Sequence, residues 1–431
     1  MTSVLLGAIP FDGHVTPMLG VARRFVELGV RVRFLTGSAY AERVRATGAD
    51  FLPLPPESDV PVDAIVREHD GERVAGVAAL RSDLTRVFLA PAPGQYRALL
   101  EALEAEPADV VLTETGFTGA AALLRTPGHP PIVVCGILPL ALSSRDTAPF
   151  GLGLRPDSSP LGRLRNRALN WAIRNVVLRE NQQEADRLLR ELTGAGLDGY
   201  FMDWSRQADA IAQFTVPGFE YSRSDAPENL HFFGPVSRLA PVDAQLPSWW
   251  SELDGSRPVV HVTQGTIANV DLGELILPTL HGLADEDVLV VVSTGGRPVS
   301  DLGELPANAR AAEFLPYDRL MPKLAAYVTN GGYGGLHYAF EHGVPVVAAG
   351  DTEDKPETAA RVEWSGAGVD LRSGTPAPDA VRTAVRTVLN DPGYAAASAR
   401  LGREISASSG VDGLLTLVRE LERKAQPTRV G

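Results

Sequence analysis

His14 is the residue of this chain best suited to move a proton. It lies in Pro10-Phe11-Asp12-Gly13-His14-Val15-Thr16-Pro17, a loop that follows an apolar strand and opens a helix. An imidazole titrates nearest neutrality, which makes it a natural general base. Position alone favours a plainer role, a hydrogen bond within the turn. A carboxylate at the end of the neighbouring strand changes that balance, because it would orient the ring and stabilise imidazolium. Glu114 closes the run Asp109-Val110-Val111-Leu112-Thr113 in such a place, where it is otherwise an ordinary first-turn carboxylate. A second chemistry is written in Asn330-Gly331-Gly332-Tyr333-Gly334-Gly335. Four glycines in five residues let the backbone approach a ligand, and a helix opening there aims free N–H groups at it. That environment suits a phosphate, though a plain strand-to-helix turn has similar weight. Gly265-Thr266, after another strand, can offer an N–H and a hydroxyl to a phosphate oxygen, two strand ends away from Asn330.

Other groups carry less. Asp351, Glu353 and Asp354 are followed by Lys355 and Pro356, and no glycine-rich lysine loop accompanies them, so a magnesium site is disfavoured. Asp354 and Lys355 suit hydrogen bonds to a polyhydroxylated ligand instead. His261 reads as a core residue, and His337 and His342 as packed or solvated helix residues. The single cysteine, Cys135, excludes an intramolecular disulfide and reads as a buried strand residue.

The elements that must position these residues alternate strand and helix. Val4–Ile9, Val30–Thr36, Asp109–Thr113, Ile132–Gly136 and Ala208–Phe214 read as strands, and Val15–Leu28 as the first helix. Leu161 to about Leu192 reads as one long polar helical region. A second series begins at Pro258, with strands at Val259–Thr263, Val288–Ser293, Ala311–Leu315, Ala326–Thr329 and Val344–Ala348. β-Branched runs separated by helices imply parallel sheets covered on both faces. Pro139–Pro160 reads as a long irregular loop of the kind that often serves function. The expected division is residues 1–234, a linker at 235–257, residues 258–405, and a C-terminal helix and tail at 406–431 packing back on the first domain. Two α/β halves leave a cleft between the carboxyl ends of their strands.

At 431 residues, two domains are the natural expectation, and 44% hydrophobic with 22% charged residues is an ordinary globular balance. A formal charge of −13 argues against a nucleic-acid or anionic-membrane surface. The opening apolar run lacks a basic flank, and no run of roughly 18 or more apolar residues occurs, so neither a signal peptide nor a membrane span is expected. The expected location is the cytoplasm.

Together the motifs resemble the nucleotide-sugar-dependent glycosyltransferases of the GT-B fold: two Rossmann-like, doubly wound parallel-sheet domains facing across a cleft. The likeness is to bacterial macrolide and natural-product enzymes, relatives of plant and animal UDP-glycosyltransferases. It covers nearly the whole chain through Gly13-His14-Val15-Thr16-Pro17, Phe233-Gly234-Pro235, Gln264-Gly265-Thr266, the Asn330–Asp354 region and Gly343-Val344-Pro345. The resemblance implies an inverting, metal-independent transfer from a dTDP- or UDP-sugar to a hydroxyl of a hydrophobic natural product. His14 would be the base, supported by Glu114 where most relatives have aspartate. Gly265, Thr266, Phe314, Leu315, Asn330, Gly331, Gly332, Gly334, Gly335, Tyr338, Asp354 and Lys355 would form the donor site, with no cofactor beyond the nucleotide sugar. Asn330 stands where the family has histidine, Gly335 where it has serine or threonine, and Tyr338 where it has the ribose-binding glutamate. Asp354-Lys355 replaces the usual Asp-Gln pair. Tyrosine at 338 is compatible with a deoxyribose donor such as dTDP-sugar. Acceptor contacts are expected from Phe11, Phe117, Asp146 and Phe150, with Phe88 and Trp171 as further aromatic candidates. A UDP-sugar epimerase-like enzyme and a non-catalytic nucleotide-sugar-binding or helper protein are the alternative readings. Monomer and homodimer are left open.

Overall fold

The computed structural model describes residues 2–60, 77–236, 246–266 and 269–425. Among these residues, thirteen strands form two sheets. The first holds β1 (Ser3–Gly7), β2 (Arg31–Thr36), β3 (Asp50–Pro53), β4 (Val110–Glu114), β5 (Ile132–Gly136), β6 (Ala210–Gln213) and β7 (Leu230–Phe232), in the order β3-β2-β1-β4-β5-β6-β7. The second holds β8 (Val259–Thr263), β9 (Leu289–Ser293), β10 (Ala309–Ala312), β11 (Ala326–Thr329), β12 (Val346–Ala348) and β13 (Gly368–Asp370), in the order β10-β9-β8-β11-β12-β13. All pairings are parallel.

The central strands are apolar throughout because both faces are covered. Val4 and Leu6 of β1, with Val110 and Leu112 of β4, pack into one core, while Leu5 and Val111 point into the other. Each such side chain contributes about 1.5–3 kcal/mol on burial. Cys135 belongs to this interior, and burial pushes its thiol well above its ordinary range.

Five helices matter for the site: α1 (Asp12–Glu27), α2 (Tyr333–Glu341), α3 (Lys355–Ser365), α4 (Pro392–Ala407) and α5 (Gly410–Ala425). The last of these crosses back to the first domain. Its Leu414, Leu415, Val418 and Leu421 join the core that α1 lines with Val15, Leu19 and Ala22. Arg24 clamps Asp412 with two bonds of 2.7 and 2.8 Å.

Some elements differ from the sequence reading. The long helical region is two helices, Pro160–Ala172 and Arg179–Thr193, joined by a wider π turn at Ile173–Val177. The break falls where β-branched side chains crowd the helix. The helix that follows β4 lasts only Ala120–Leu123, since Pro127 and Gly128 follow closely. The sheet edges β3, β7 and β13 are short and only partly buried, which leaves little apolar signal in sequence. Within the 235–257 linker lies a 3-10 turn at Ser248–Glu252, and residues 237–245 fall outside the described residues, as do 426–431 at the tail.

The domains meet along one buried seam. Val216 and Phe219, just past β6, enter a core built by the second domain, with Phe219 4.7 Å from the Phe340 ring centroid. His337 on α2 reaches across to the Thr215 hydroxyl at 2.7 Å. Arg361 on α3 places Nη2 2.7 Å and Nε 3.1 Å from Glu220 Oε1, and its Nη1 lies 2.7 Å from Glu357 Oε2. Its guanidinium also stacks over Tyr221 at 4.1 Å.

Candidate active site

Both sheets change winding direction at a central strand, and the loops of interest gather there. In the first sheet the reversal lies between β1 and β4. A crevice opens at the carboxyl ends of such strands. His14 opens α1 directly after β1, and Glu114 is the last residue of β4. His14 Nδ1 and Glu114 Oε2 are 2.8 Å apart, with His14 only 4% exposed and Glu114 fully buried. The carboxylate is held from both sides: Oε1 accepts the Ile9 N–H at 3.1 Å and Oε2 the Gly116 N–H at 2.5 Å. A carboxylate can only accept, so Nδ1 carries the proton and Nε2 of the neutral ring keeps its lone pair. Nε2 has no protein partner among the described residues. The rings of Phe11 and Phe88 flank the imidazole at 5.5 and 6.3 Å.

Gly116 is a position that the sequence reading missed. A Cβ there would lie 3.1 Å from His14 Cε1, 3.1 Å from Glu114 Oε2 and 3.0 Å from Phe88. Gly116→Ala should therefore displace the pair by a few tenths of an ångström. The expected loss in kcat is about tenfold, short of the 10² that a full 1 Å misplacement can cost. Steady-state rates beside a nucleotide titration check this, since nucleotide affinity should not change.

The second sheet reverses between β8 and β11, which are adjacent. The Gly265 and Asn330 turns are thus immediate neighbours and not two strand ends apart, because β11 returns to pair with β8 after β9 and β10 have extended the other side. Asn330 uses this proximity: its Nδ2 donates to the Gln264 carbonyl at 2.6 Å and ties the two turns together. The Gly265 N–H turns inward to Thr263 Oγ1 at 3.1 Å, and the Gly331 N–H to Thr329 Oγ1 at 3.3 Å. These three groups are engaged within the protein. The Thr266 side chain is exposed, and helix geometry leaves the N–H groups of Tyr333, Gly334 and Gly335 without partners inside α2. Gly331 has φ +93, which favours glycine. Gly335 has another reason to lack a side chain: a Cβ would come 2.9 Å from the Tyr327 hydroxyl, which fills the space.

Asn269 and Gly295 were also missed, and together with Gln264 of the Gln264-Gly265-Thr266 motif they shape these turns. Gln264 Oε1 accepts from the N–H groups of Leu275 and Ile276 and caps the following helix. Asn269 Nδ2 bridges the carbonyls of Thr294 and Gly295 at 2.9 and 3.0 Å. A Cβ at Gly295 would fall 1.9 Å from the Gly265 carbonyl oxygen. Polar residues just beyond strand ends were the only sequence signal. Phe314 is 65% exposed and lies across Gly296, whereas Leu315 is buried in the domain interior. Tyr338 is partly buried, edge-on to Tyr317 at 6.1 Å. His261 is core, stacked on Tyr327, and burial lowers it to about 4. Burial lowers His337 to about 4 as well.

Asp354 stands at the N-cap position of α3, where its side chain makes no capping hydrogen bond. The residue keeps part of its surface, but Oδ2 is buried without a hydrogen-bond partner among the described residues. Burial raises the carboxyl to about 6, Glu353 adds to the rise, and Lys355 and His14 act against it. A positive charge on His14, in the other domain, would favour the ionised form of Asp354. Lys355 is buried and gives its Nζ to Glu353 at 2.8 Å and Thr352 at 3.0 Å. Among the described residues no group of three or more His, Cys, Asp or Glu could hold a metal ion. No described helix is long and apolar enough to cross a membrane.

The acceptor-side expectations divide. Phe11 lies beside His14, and Phe150 is partly buried in the long loop. Phe117 is fully buried in the core, so it supports the wall and offers no surface to an acceptor. Asp146 is closed off by Arg163 and by both donors of Ser224. Burial alone would raise its carboxyl, but those bonds outweigh it and hold it at about 2. Trp171 stands outward at 63% exposure, beside Leu161 and Leu164 on the same helix.

Two parallel-sheet domains, with a histidine–carboxylate pair at one reversal and a glycine-rich helix start at the other, define a GT-B transferase. Residues 278–412 match the family described as erythromycin biosynthesis protein CIII-like, C-terminal domain. The chain is 43% identical over 423 residues to 4'-demethylrebeccamycin synthase of Lentzea aerocolonigenes, covering 97% of this chain and 99% of that one. In fold it is similar to CalG4, the calicheamicin glycosyltransferase, with TM-score 0.75, 23% identity, and 99% and 100% of the two chains covered. It is also similar to the glycosyltransferase VinC in complex with dTDP, with TM-score 0.67, 18% identity, and 98% and 100% covered. The chain belongs to the GT-B natural-product glycosyltransferases. The epimerase-like and helper-protein readings are not favoured by these relatives.

Proposed function

We propose that this glycosyltransferase moves a sugar from dTDP-sugar, or secondarily UDP-sugar, to a hydroxyl of a flat, hydrophobic natural product in the cytoplasm, with inversion at the anomeric carbon. The observation that carries the reading is the Nε2 of His14, oriented by Glu114 and left without a partner among the described residues. Nε2 takes the acceptor proton as the oxygen attacks C1. The bond from C1 to the diphosphate oxygen breaks, and its electron pair leaves with the nucleotide. The free N–H groups at the start of α2 meet the charge of that leaving group, a preorganised electrostatic contribution, and no step is assigned to a metal. Tyr338 lacks the two acceptor oxygens that would grip both ribose hydroxyls, which supports the deoxyribose donor. Calorimetric titration with dTDP, UDP and GDP is the test, with products followed by mass spectrometry over a donor panel and phenolic or polyketide acceptors. Failure to bind any of the three nucleotides would sink the reading.

Asp354 gives the donor step a pH signature. Sugar hydroxyls donate to the carboxylate and so favour its ionised form. Binding should then lower a carboxyl that stands at about 6 in the free protein. Below that pH donor binding releases a proton, and affinity climbs with pH by up to about tenfold per unit before levelling off above it. Titrations of nucleotide sugar between pH 5 and 8 read this directly. Asp354→Asn should flatten the profile, and an unchanged slope in that variant would remove Asp354 from the donor site.

A further inference from the structure

The loop between β5 and the helix Pro160–Ala172 carries neither helix nor strand, yet it is fastened to α3 of the opposite domain, by a partly exposed ion pair of Arg155 with Glu363 at 3.0 Å and by a backbone tie to Glu357. Gly151 and Gly153 have φ values of +97 and +59, and both N–H groups converge on Glu357 Oε1 at 2.9 Å each. Gly153 also presses on α3, since a Cβ there would lie 3.0 Å from the Pro356 carbonyl oxygen. The other oxygen of Glu357 is fixed by Arg361, which is itself locked to Glu220 of the first domain. One residue further along, Thr358 Oγ1 donates to the Gly331 carbonyl of the glycine-rich turn at 2.6 Å. The first turn of α3 thus touches the diphosphate turn through Thr358, begins at Asp354, and holds the loop through Glu357.

We propose that Glu357 is a positioning residue that sets the acceptor-side loop at a fixed offset from the donor turn, so that the acceptor pocket is complete only while the two domains are engaged. This rests on the transfer reading above in naming the loop as acceptor-side, whereas the tie itself does not depend on it. Left-handed glycines at 151 and 153 explain how the amides on either side of Leu152 can share one oxygen. Phe150 is the immediate neighbour of this tie, so a shift of the loop moves its ring.

Hydrogen exchange read by mass spectrometry on the full chain tests the tie without any need for turnover. In Glu357→Ala the amides of residues 151–153 should exchange about tenfold faster, through loss of bonds to a charged acceptor. Glu357→Gln keeps an acceptor oxygen for those amides and should restore most of the protection. The dTDP affinity of both variants should stay within about twofold of the parent, which a general loss of structure would not allow. With a planar phenol, 4-methylumbelliferone, as acceptor, Glu357→Ala should raise the acceptor KM about tenfold and leave kcat nearly unchanged. Unaltered exchange at 151–153 in Glu357→Ala would overturn the proposal, as would a parallel collapse of dTDP affinity. A parent protein that binds no nucleotide would instead defeat the transfer reading and leave the exchange result standing.

Discussion

Replacing His14 by alanine is expected to lower kcat by about 10²–10⁴ while dTDP binds with unchanged affinity. The split follows from where the residue stands. His14 belongs to the first domain, at the start of α1, and among the described residues its side-chain hydrogen bond goes to Glu114 and not to the Gly265 turn or the start of α2. Its loss removes proton acceptance alone. Glu114 should behave differently. Its two oxygens receive three donors, the Ile9 and Gly116 N–H groups and His14 Nδ1–H. Glu114→Gln sets an amide N–H against one of them, so the ring loses both its charge partner and its fixed orientation. A kcat loss of about 10²-fold or more is expected for this variant too. Unchanged turnover in His14→Ala under single-turnover conditions would transfer the role of base to another group.

The second large effect is structural. Arg361→Ala should destabilise the protein by about 3–5 kcal/mol, because it takes the cation from the buried Glu357 carboxylate and leaves buried Glu220 with Arg223 alone. Burial opposes the charge on Arg361, yet Glu220 and Glu357 together outweigh it and raise its pKa above the ordinary value. Burial likewise opposes ionisation of Glu220, and Arg361 and Arg223 outweigh it and hold its pKa below the usual range. Neither charge has water to fall back on. Exposed pairs such as Arg187 with Glu184 are a useful contrast, each worth at most about 1 kcal/mol. Scanning calorimetry of Arg361→Ala, Glu220→Gln and the double variant gives the test. The double variant should lose clearly less than the sum of the singles. Simple additivity would mean that the two residues stabilise the seam independently.

Much of the fold could be read from the chain because both sheets are buried on both faces. Runs such as Val259–Thr263 and Leu289–Ser293 announce themselves by continuous apolar character. The edges β3, β7 and β13 did not, being short and half-covered. The dyad was legible for a topological reason: residues directly after β1 and at the end of β4 meet wherever those strands are neighbours. The detail of the donor side was not. Nothing in the sequence says that Asn330 spends its amide on Gln264, or that the Tyr327 hydroxyl fills the space over Gly335. These are contacts between residues 66 and 8 positions apart, set by packing and not by pattern. The same holds for Phe117 and Asp146. An aromatic ring and a carboxylate near a cleft look alike in sequence whether they face it or lie behind it.

The return of α5 to the first domain has a consequence for biosynthesis. That domain is synthesised first, but four apolar side chains of its core arrive only with residues 410–425. Until then α1 presents an uncovered greasy groove to the ribosome surface and its chaperones. The second domain, by contrast, has its whole interior in hand once α4 has emerged. The half made first is therefore the half finished last. A stop codon or a proteolytic nick near Ser408 would leave a complete second domain attached to an incomplete first one, a species prone to aggregation for reasons unrelated to catalysis.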